Sequence, residues 1–175
     1  MSTSKLTADD ALALLSRHNA EDTVIEHCLS VSSLAKAIAE KIKANGHDID
    51  VEFVETAALL HDIGRAKTHD IRHGIEGAKM MKKYPAYARV CESHIGGGIT
   101  KKEAKELGLP GKDYIPKTLE EKVVCYADKL LAGSKRITLE ESLEKYEEKL
   151  GPDHPTIDRI CRLHLEIRKL VGEPI

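Results

Sequence analysis

Apolar residues recur at three- and four-residue spacings through nearly the whole chain, and nowhere do they alternate long enough to describe a strand. That pattern confines the fold to helices packed on helices, and the punctuation agrees with it. Thr7 with Asp10 opens a helix over 7–17, and 22–45 is a long helix ended by Gly46. Asp50 caps a third helix, which runs through Val54, Ala57, Ala58 and His61 to a stop at Gly64, and 65–72 is a polar loop. Helices follow over 73–84, closed by Pro85, and over 86–95, closed by Gly96-Gly97-Gly98. Thr100 with Glu103, Thr118 with Glu121 and Thr138 with Glu141 each open another helix; these end near Gly108, at Ala132 and at Gly151. A last helix covers 156–171. Short loops and the absence of repeats give one expectation: an all-α bundle of about eight or nine helices. Residues 1–175 would form a single domain, with a core over 22–136 and the helices of 138–172 packed on it.

Composition limits the chemistry. A net charge of −2 gives no global attraction for nucleic acid, and no apolar run is long enough to span a membrane. The first ten residues lack an apolar signal core, so a soluble, cytoplasmic protein is expected. Cys28, Cys91, Cys125 and Cys161 form no Cys-x-x-Cys pair and sit among apolar neighbours, as buried reduced thiols do. Nine His stand against five Tyr, one Phe and no Trp. The core must therefore be aliphatic, and the imidazoles need an explanation.

Several polar residues fall on apolar helix faces. His27 precedes Val31 and Leu34 by one and two turns. His61 shares a face with Val54, Ala57 and Ala58, His94 with Tyr87, Val90 and Cys91, and Asp128 lies between Val124 and Leu131. A buried carboxylate without a partner costs several kcal/mol, and a buried imidazole needs partners at both nitrogens. One divalent cation would satisfy them together, as in bundles that build metal sites from facing helices. Burial alone does not select ligands, since His164 lies on an apolar face with Ile157, Ile160, Cys161 and Ile167. His18, His47 and His154 read as surface residues, and the charge-dense 140–149 as a solvated helix face.

The tetrapeptide His61-Asp62-Ile63-Gly64 changes the weight of this set. From His27 to Asp128 the sequence resembles the HD-domain metal-dependent phosphohydrolase superfamily. Ala57-Ala58-Leu59-Leu60-His61-Asp62-Ile63-Gly64 is similar to the helix that names the family. His73-Gly74-Ile75-Glu76-Gly77-Ala78, Glu92-Ser93-His94 and Val123-Val124-Cys125-Tyr126-Ala127-Asp128-Lys129 follow in the family's order. The resemblance implies that His27, His61, Asp62 and Asp128 hold one metal. His73 and His94 match the extra ligands of the two-metal branch, with Asp62 bridging. That branch includes bacterial enzymes that cleave diadenosine tetraphosphate symmetrically. Three departures stand out. Arg65 follows Ile63-Gly64 where relatives often carry Lys, Ile95 rather than a second His follows His94, and no Gly-Tyr-Pro element of the cyclic-di-GMP phosphodiesterases is present.

The resemblance implies hydrolysis of a phosphoester or phosphoanhydride of a nucleotide or other small phosphorylated metabolite, by a metal-activated water. The expected cofactors are two divalent ions, from among Mn, Fe, Co, Ni, Zn and Mg. Asp62 would bridge them and take up the water's proton, with Arg65 and Lys67 assisting catalysis. Arg65, Lys67, Arg72 and Lys129 would neutralise the phosphate. The loop after Ile99 would form one wall of the site, with Tyr114 as its one aromatic. Lys101 and Lys102 read as a solvated helix start. Neither a membrane nor a nucleic-acid partner is expected, and a homodimer is compatible with the reading. The alternatives are a nucleotide-binding regulatory HD module without turnover, and a purely structural bundle.

Overall fold

The computed structural model describes residues 5–172; the first four and last three residues, which the expected 1–175 unit included, lie outside it. Three helices carry the centre. Helix α2 (Asp22–Ala44) buries one stripe, with Val24, Cys28, Val31, Ala35, Ile38 and Ile42 at three- and four-residue steps. It ends at Asn45, and Gly46 turns the chain at a φ of 88°. Helix α3 (Val51–Leu60) starts where the Asp50 carboxylate accepts from the Phe53 N–H, and its second half is buried on nearly every side. Helix α7 (Leu119–Lys129) closes the trio against both.

The remaining elements wrap this trio. Helix α1 (Ala8–Arg17) lies on α3. A 3-10 turn (Ile63–Ala66) leads to α4 (His73–Met80), which packs on α5 (Pro85–Ser93). Helix α6 (Lys101–Glu106) sits on a small separate core of Ile99, Ala104, Leu109 and Tyr114. Helices α8 (Leu139–Leu150) and α9 (Pro155–Val171) complete the chain, and α9 packs on α7 and α2. Capping boxes form at Thr7, Thr100 and Thr138, and the Thr118 hydroxyl accepts from Glu121 N–H. The mostly helical architecture matches the all-α expectation.

The differences are local and have causes. Helix α4 stops at Met80, short of residue 84. Tyr84 precedes a proline and takes φ −128°, ψ 75°, a region that cannot continue a helix, and Pro85 opens α5 at its first turn. Helix α7 ends at Lys129 rather than at Ala132. Leu131–Ala132 (β1) pair with Lys135–Arg136 (β2) across Gly133, which holds a φ of 60°. Helix α9 begins at Pro155, with the His154 side chain accepting from Thr156 N–H, so His154 is a cap rather than a free loop residue. The triple glycine is a packing device. A Cβ on Gly97 would stand 2.8 Å from Arg159 Cβ and 3.0 Å from the Ile160 nitrogen, so only glycine admits α9 so closely.

The core is aliphatic as expected, but two polar inclusions interrupt it. One is the His/Asp cluster. In the other, Arg89 donates to Glu92 at 2.9 Å and Glu121 at 3.1 Å, while Lys112 reaches Glu92 at 2.8 Å. This network ties the 109–117 loop to α5 and α7. Tyr114 is buried in the small core, its hydroxyl donating to the Pro110 carbonyl, so it offers no ring to a ligand. All four cysteines are free. Among the described residues no helix is long and apolar enough to cross a membrane.

Candidate metal centre

Six side chains from five helices and one turn meet at the middle of the bundle. His27 comes from α2. His61 follows the end of α3, and Asp62 leads into the 3-10 turn. His73 begins α4, His94 follows the end of α5, and Asp128 lies in the last turn of α7. Helix ends carry most of the set, for a physical reason. The last carbonyls of a helix have no intrahelical donor, so a side chain can take them as acceptors. His61 Nδ1 donates to the Ala58 carbonyl at 2.6 Å, and His94 Nδ1 to the Cys91 carbonyl at 2.7 Å. His73 Nδ1 donates to the Asp70 carbonyl and His27 Nδ1 to the Gly133 carbonyl, both at 2.7 Å.

A carbonyl only accepts, so in each neutral imidazole the hydrogen resides on Nδ1 and the Nε2 lone pair faces inward. His73 Nε2 and His94 Nε2 lie 3.1 Å apart, each 3.2 Å from Asp62 Oδ1. Three acceptors thus converge with no hydrogen among them. On the other side, Asp128 Oδ1 lies 3.0 Å from His27 Nε2 and 3.4 Å from His61 Nε2. His61 Nε2 and Asp62 Oδ1 are buried without a hydrogen-bond partner. Converging lone pairs and orphaned acceptors are what a cation resolves. The ligand atoms of His27, His61 and Asp128, and those of His61, Asp62 and His94, lie within 4.8 Å of one another. The donor set of imidazoles and carboxylates, with no thiolate, fits divalent ions of the Mn-to-Zn series.

The electrostatics point the same way. Burial pushes the His61 imidazolium down, yet the charge of Asp62 and the nearby Asp128 carboxylate outweigh it and raise its pKa, so without a metal the site draws a proton to where a cation would stand. Burial opposes the Asp62 carboxylate too, but the charge of His61 holds it well below the usual carboxylate range. The centre attracts positive charge. His94 is lowered to about 4, chiefly by burial, so it stays neutral and able to ligate.

Gly64 explains its place in the tetrapeptide. A Cβ there would run into the His73 carbonyl and Gly77 nitrogen, so glycine lets the 3-10 turn press on α4 and sets His73 against Asp62. The profile of the HD domain matches residues 24–133, which holds all six residues of the cluster. The chain belongs to the HD domain family.

The proteins it is similar to are diverse. An uncharacterized protein of Methanocaldococcus jannaschii is 47% identical over 166 residues, covering 93% of this chain and 98% of that protein. A tRNA (cytidine(56)-2'-O)-methyltransferase of Picrophilus torridus is 41% identical over 95% of this chain and 48% of its own length. Ribonuclease Y of Clostridium botulinum is 33% identical over 71% of this chain and 22% of its own length. The chain thus spans about half of the methyltransferase and a smaller part of the ribonuclease. No solved structure matches.

A cavity of about 550 Å³ opens from the HD centre, with His73, His94, Asp128 and Lys129 at its floor. Arg65 lines it, its Nε donating to Asp62 Oδ2 at 2.7 Å. The Ile99 segment contributes Ile99, Glu103, Glu106 and Leu107 to one wall. The other expected phosphate contacts fall elsewhere. Lys67 and Arg72 are exposed and do not line the cavity, because the 3-10 turn and the loop after it carry them outward. The Lys129 side chain is 2% exposed; its ammonium is taken by Asp128 Oδ2 and, at 2.8 Å, by the His94 carbonyl. Lys129 is therefore a counter-charge of the cluster rather than a group free to meet substrate. Lys101 and Lys102 are exposed away from it.

The remaining imidazoles also separate. His69 is exposed at the cavity rim and meets Glu21 at 3.2 Å. His164 Nδ1 hydrogen-bonds the Tyr126 hydroxyl at 2.6 Å and takes no part in the cluster. One lining residue, Tyr146, escaped the sequence reading altogether. It lines the cavity from α8 beside Lys129. The signal was present: Leu139, Ser142, Leu143, Tyr146 and Leu150 form a weak stripe of helical spacing inside the charged 140–149 stretch.

Proposed function

We propose that this chain is a metal-dependent phosphohydrolase acting on a phosphoester or phosphoanhydride of a small phosphorylated metabolite, with a nucleotide as the best-fitting class. The observation that supports it most is the ring of four inward Nε2 lone pairs and two carboxylates at the floor of a ligand-sized cavity. His27, His61, Asp62 and Asp128 would hold one divalent ion, and Asp62, His73 and His94 a second. Bound there, such ions supply Lewis acidity toward the phosphate and lower the pKa of a water.

The chain's own groups do the rest. The four Nδ1–H bonds to carbonyls lock each ring in the ligating tautomer. Each carboxylate also meets a cation at Oδ2: Asp62 Oδ2, which faces His27 and His61 at 3.7 Å, binds Arg65, and Asp128 Oδ2 binds Lys129. Arg65 is partly exposed, so its guanidinium can keep Nε on Asp62 while offering its outer nitrogens to a phosphate oxygen. Asp62, which stays a carboxylate, would serve the site chiefly as an anionic ligand, and would accept the water's proton only in passing.

A second reading draws on the comparisons. Two relatives are named for action on RNA, which would make an oligoribonucleotide the substrate. The test for both is phosphate or nucleotide release by the protein loaded in turn with Mn, Fe, Co, Ni, Zn and Mg. The panel holds nucleotides, dinucleoside polyphosphates, cyclic nucleotides and short oligoribonucleotides. Turnover lost in Asp62→Ala supports the proposal. Binding without turnover throughout the panel would replace it with the regulatory module.

A further inference from the structure

The cavity has an outer half that the metal centre does not use. Its floor lies inside the family match over 24–133, but part of its far wall does not. Tyr146 and Leu150 come from α8, beyond the match, and Leu107 faces the same space from the end of α6. Leu107 and Leu150 keep 46% and 39% of their surface exposed. A single exposed leucine means little. Two that line one cavity leave apolar surface with no covering in the fold, where a ligand would bury it. Tyr146 and Leu150 stand four residues apart on α8 and so share a face. A tyrosine adds a flat contact that loses little entropy on binding. The cavity is continuous with the metal centre, and about 550 Å³ exceeds the space a phosphate alone fills.

We propose that Tyr146, Leu150 and Leu107 form a specificity subsite for the flat, largely apolar body of the substrate, a ring compound whose phosphate lies at the metal centre. The proposal rests on the phosphohydrolase reading for the phosphate end, and adds the class of group at the other end. Helix α8, beyond the family match, then joins the end of α6 in choosing the substrate, while the cluster of histidines and aspartates handles the phosphate.

The test uses the full chain loaded with Mn²⁺, as wild type, Leu107→Ser, Leu150→Ser and the double variant. Both leucines are exposed, so these variants fold. The probes are phenyl phosphate and a nucleoside 5′-monophosphate, which carry rings, and glycerol 3-phosphate and ribose 5-phosphate, which carry no aromatic ring. The readouts are kcat/KM for each and the dissociation constants of the ring compounds by calorimetry. The expected result is a ring-over-non-ring preference that falls about tenfold in each single variant, and further in the double. A preference for the nucleotide over phenyl phosphate assigns the ring to a nucleobase, and the reverse to a simple arene. Leu165→Ser, at an exposed leucine that does not line the cavity, leaves the preference unchanged. Equal loss for ring and non-ring esters overturns the subsite, as does a change in oligomeric state without a change in preference. Leu150-dependent ring binding without hydrolysis of any ester sinks the phosphohydrolase reading and leaves the subsite standing.

Discussion

Replacing Lys129 with methionine keeps the length and apolar stem of the side chain and removes its charge. The ammonium has two partners, Asp128 Oδ2 and the His94 carbonyl, and its side chain is 2% exposed. In the metal-free protein the substitution takes the Lys129 charge from Asp128 and leaves the buried His94 carbonyl only the weak Cys125 thiol as donor. Removing one partner of a buried pair costs about 3–5 kcal/mol. At this chain length that is a fall in Tm of roughly 6–20 °C. In saturating Mn²⁺ the balance changes. The bound ion neutralises Asp128, and the lysine's repulsion of that ion is gone. The loss in Tm should therefore shrink, and Mn²⁺ should bind the variant about tenfold or more tightly, since a neighbouring unit charge acts strongly in a buried site. Calorimetric scans in chelator and in Mn²⁺, with isothermal titration of the ion, measure both. Equal losses in Tm with and without metal would mean that Lys129 only packs. Weaker Mn²⁺ binding would mean that its geometric role outweighs its charge, and the reasoning would be refuted.

Other outcomes follow from the same geometry. Asp62→Ala should abolish turnover and reduce metal content sharply while the helical circular dichroism persists; full metal-dependent turnover in the variant would remove Asp62 from the mechanism. Gly64→Ala should destabilise the chain by several kcal/mol, because the new Cβ meets backbone rather than a side chain that can move, and a denaturant titration reads the loss. Acid should weaken the metal-free fold through His94. Its pKa falls from 6.5 unfolded to about 4 folded, so between those values only the unfolded chain takes up the proton. That removes about 3 kcal/mol as pH drops from 6.5 to 4, and His94→Gln should flatten the slope in this window. Asp62 and Asp128, whose carboxyls are depressed, lose their contribution only at still lower pH.

The sequence carried the helices because their ends are chemical. Thr7, Thr100, Thr118 and Thr138 announce themselves by the residue three places on, and each caps as expected. The cluster was legible for a related reason: His27, His61, His94 and Asp128 are polar at positions whose helical neighbours are apolar. What escaped depends on contacts distant in sequence. His164 has the same one-dimensional pattern as His61, and only the Tyr126 hydroxyl distinguishes it. Lys129 reads in the sequence as a phosphate contact, and its burial against Asp128 and the His94 carbonyl shows only in three dimensions. Tyr146 was hidden by the charges around it. Lys67 and Arg72 lie near the motif in sequence, yet the turn carries them away from the cavity.

The central claim is that these six side chains form a divalent-cation site, and direct metal counting tests it. Metal-free protein titrated with Mn²⁺, with bound and free ion followed by electron paramagnetic resonance, should take up two ions per chain. His61→Ala should lose most of both, since its ring borders both groupings. Absence of stoichiometric binding in the wild type, or binding that survives intact in His61→Ala, would contradict the account.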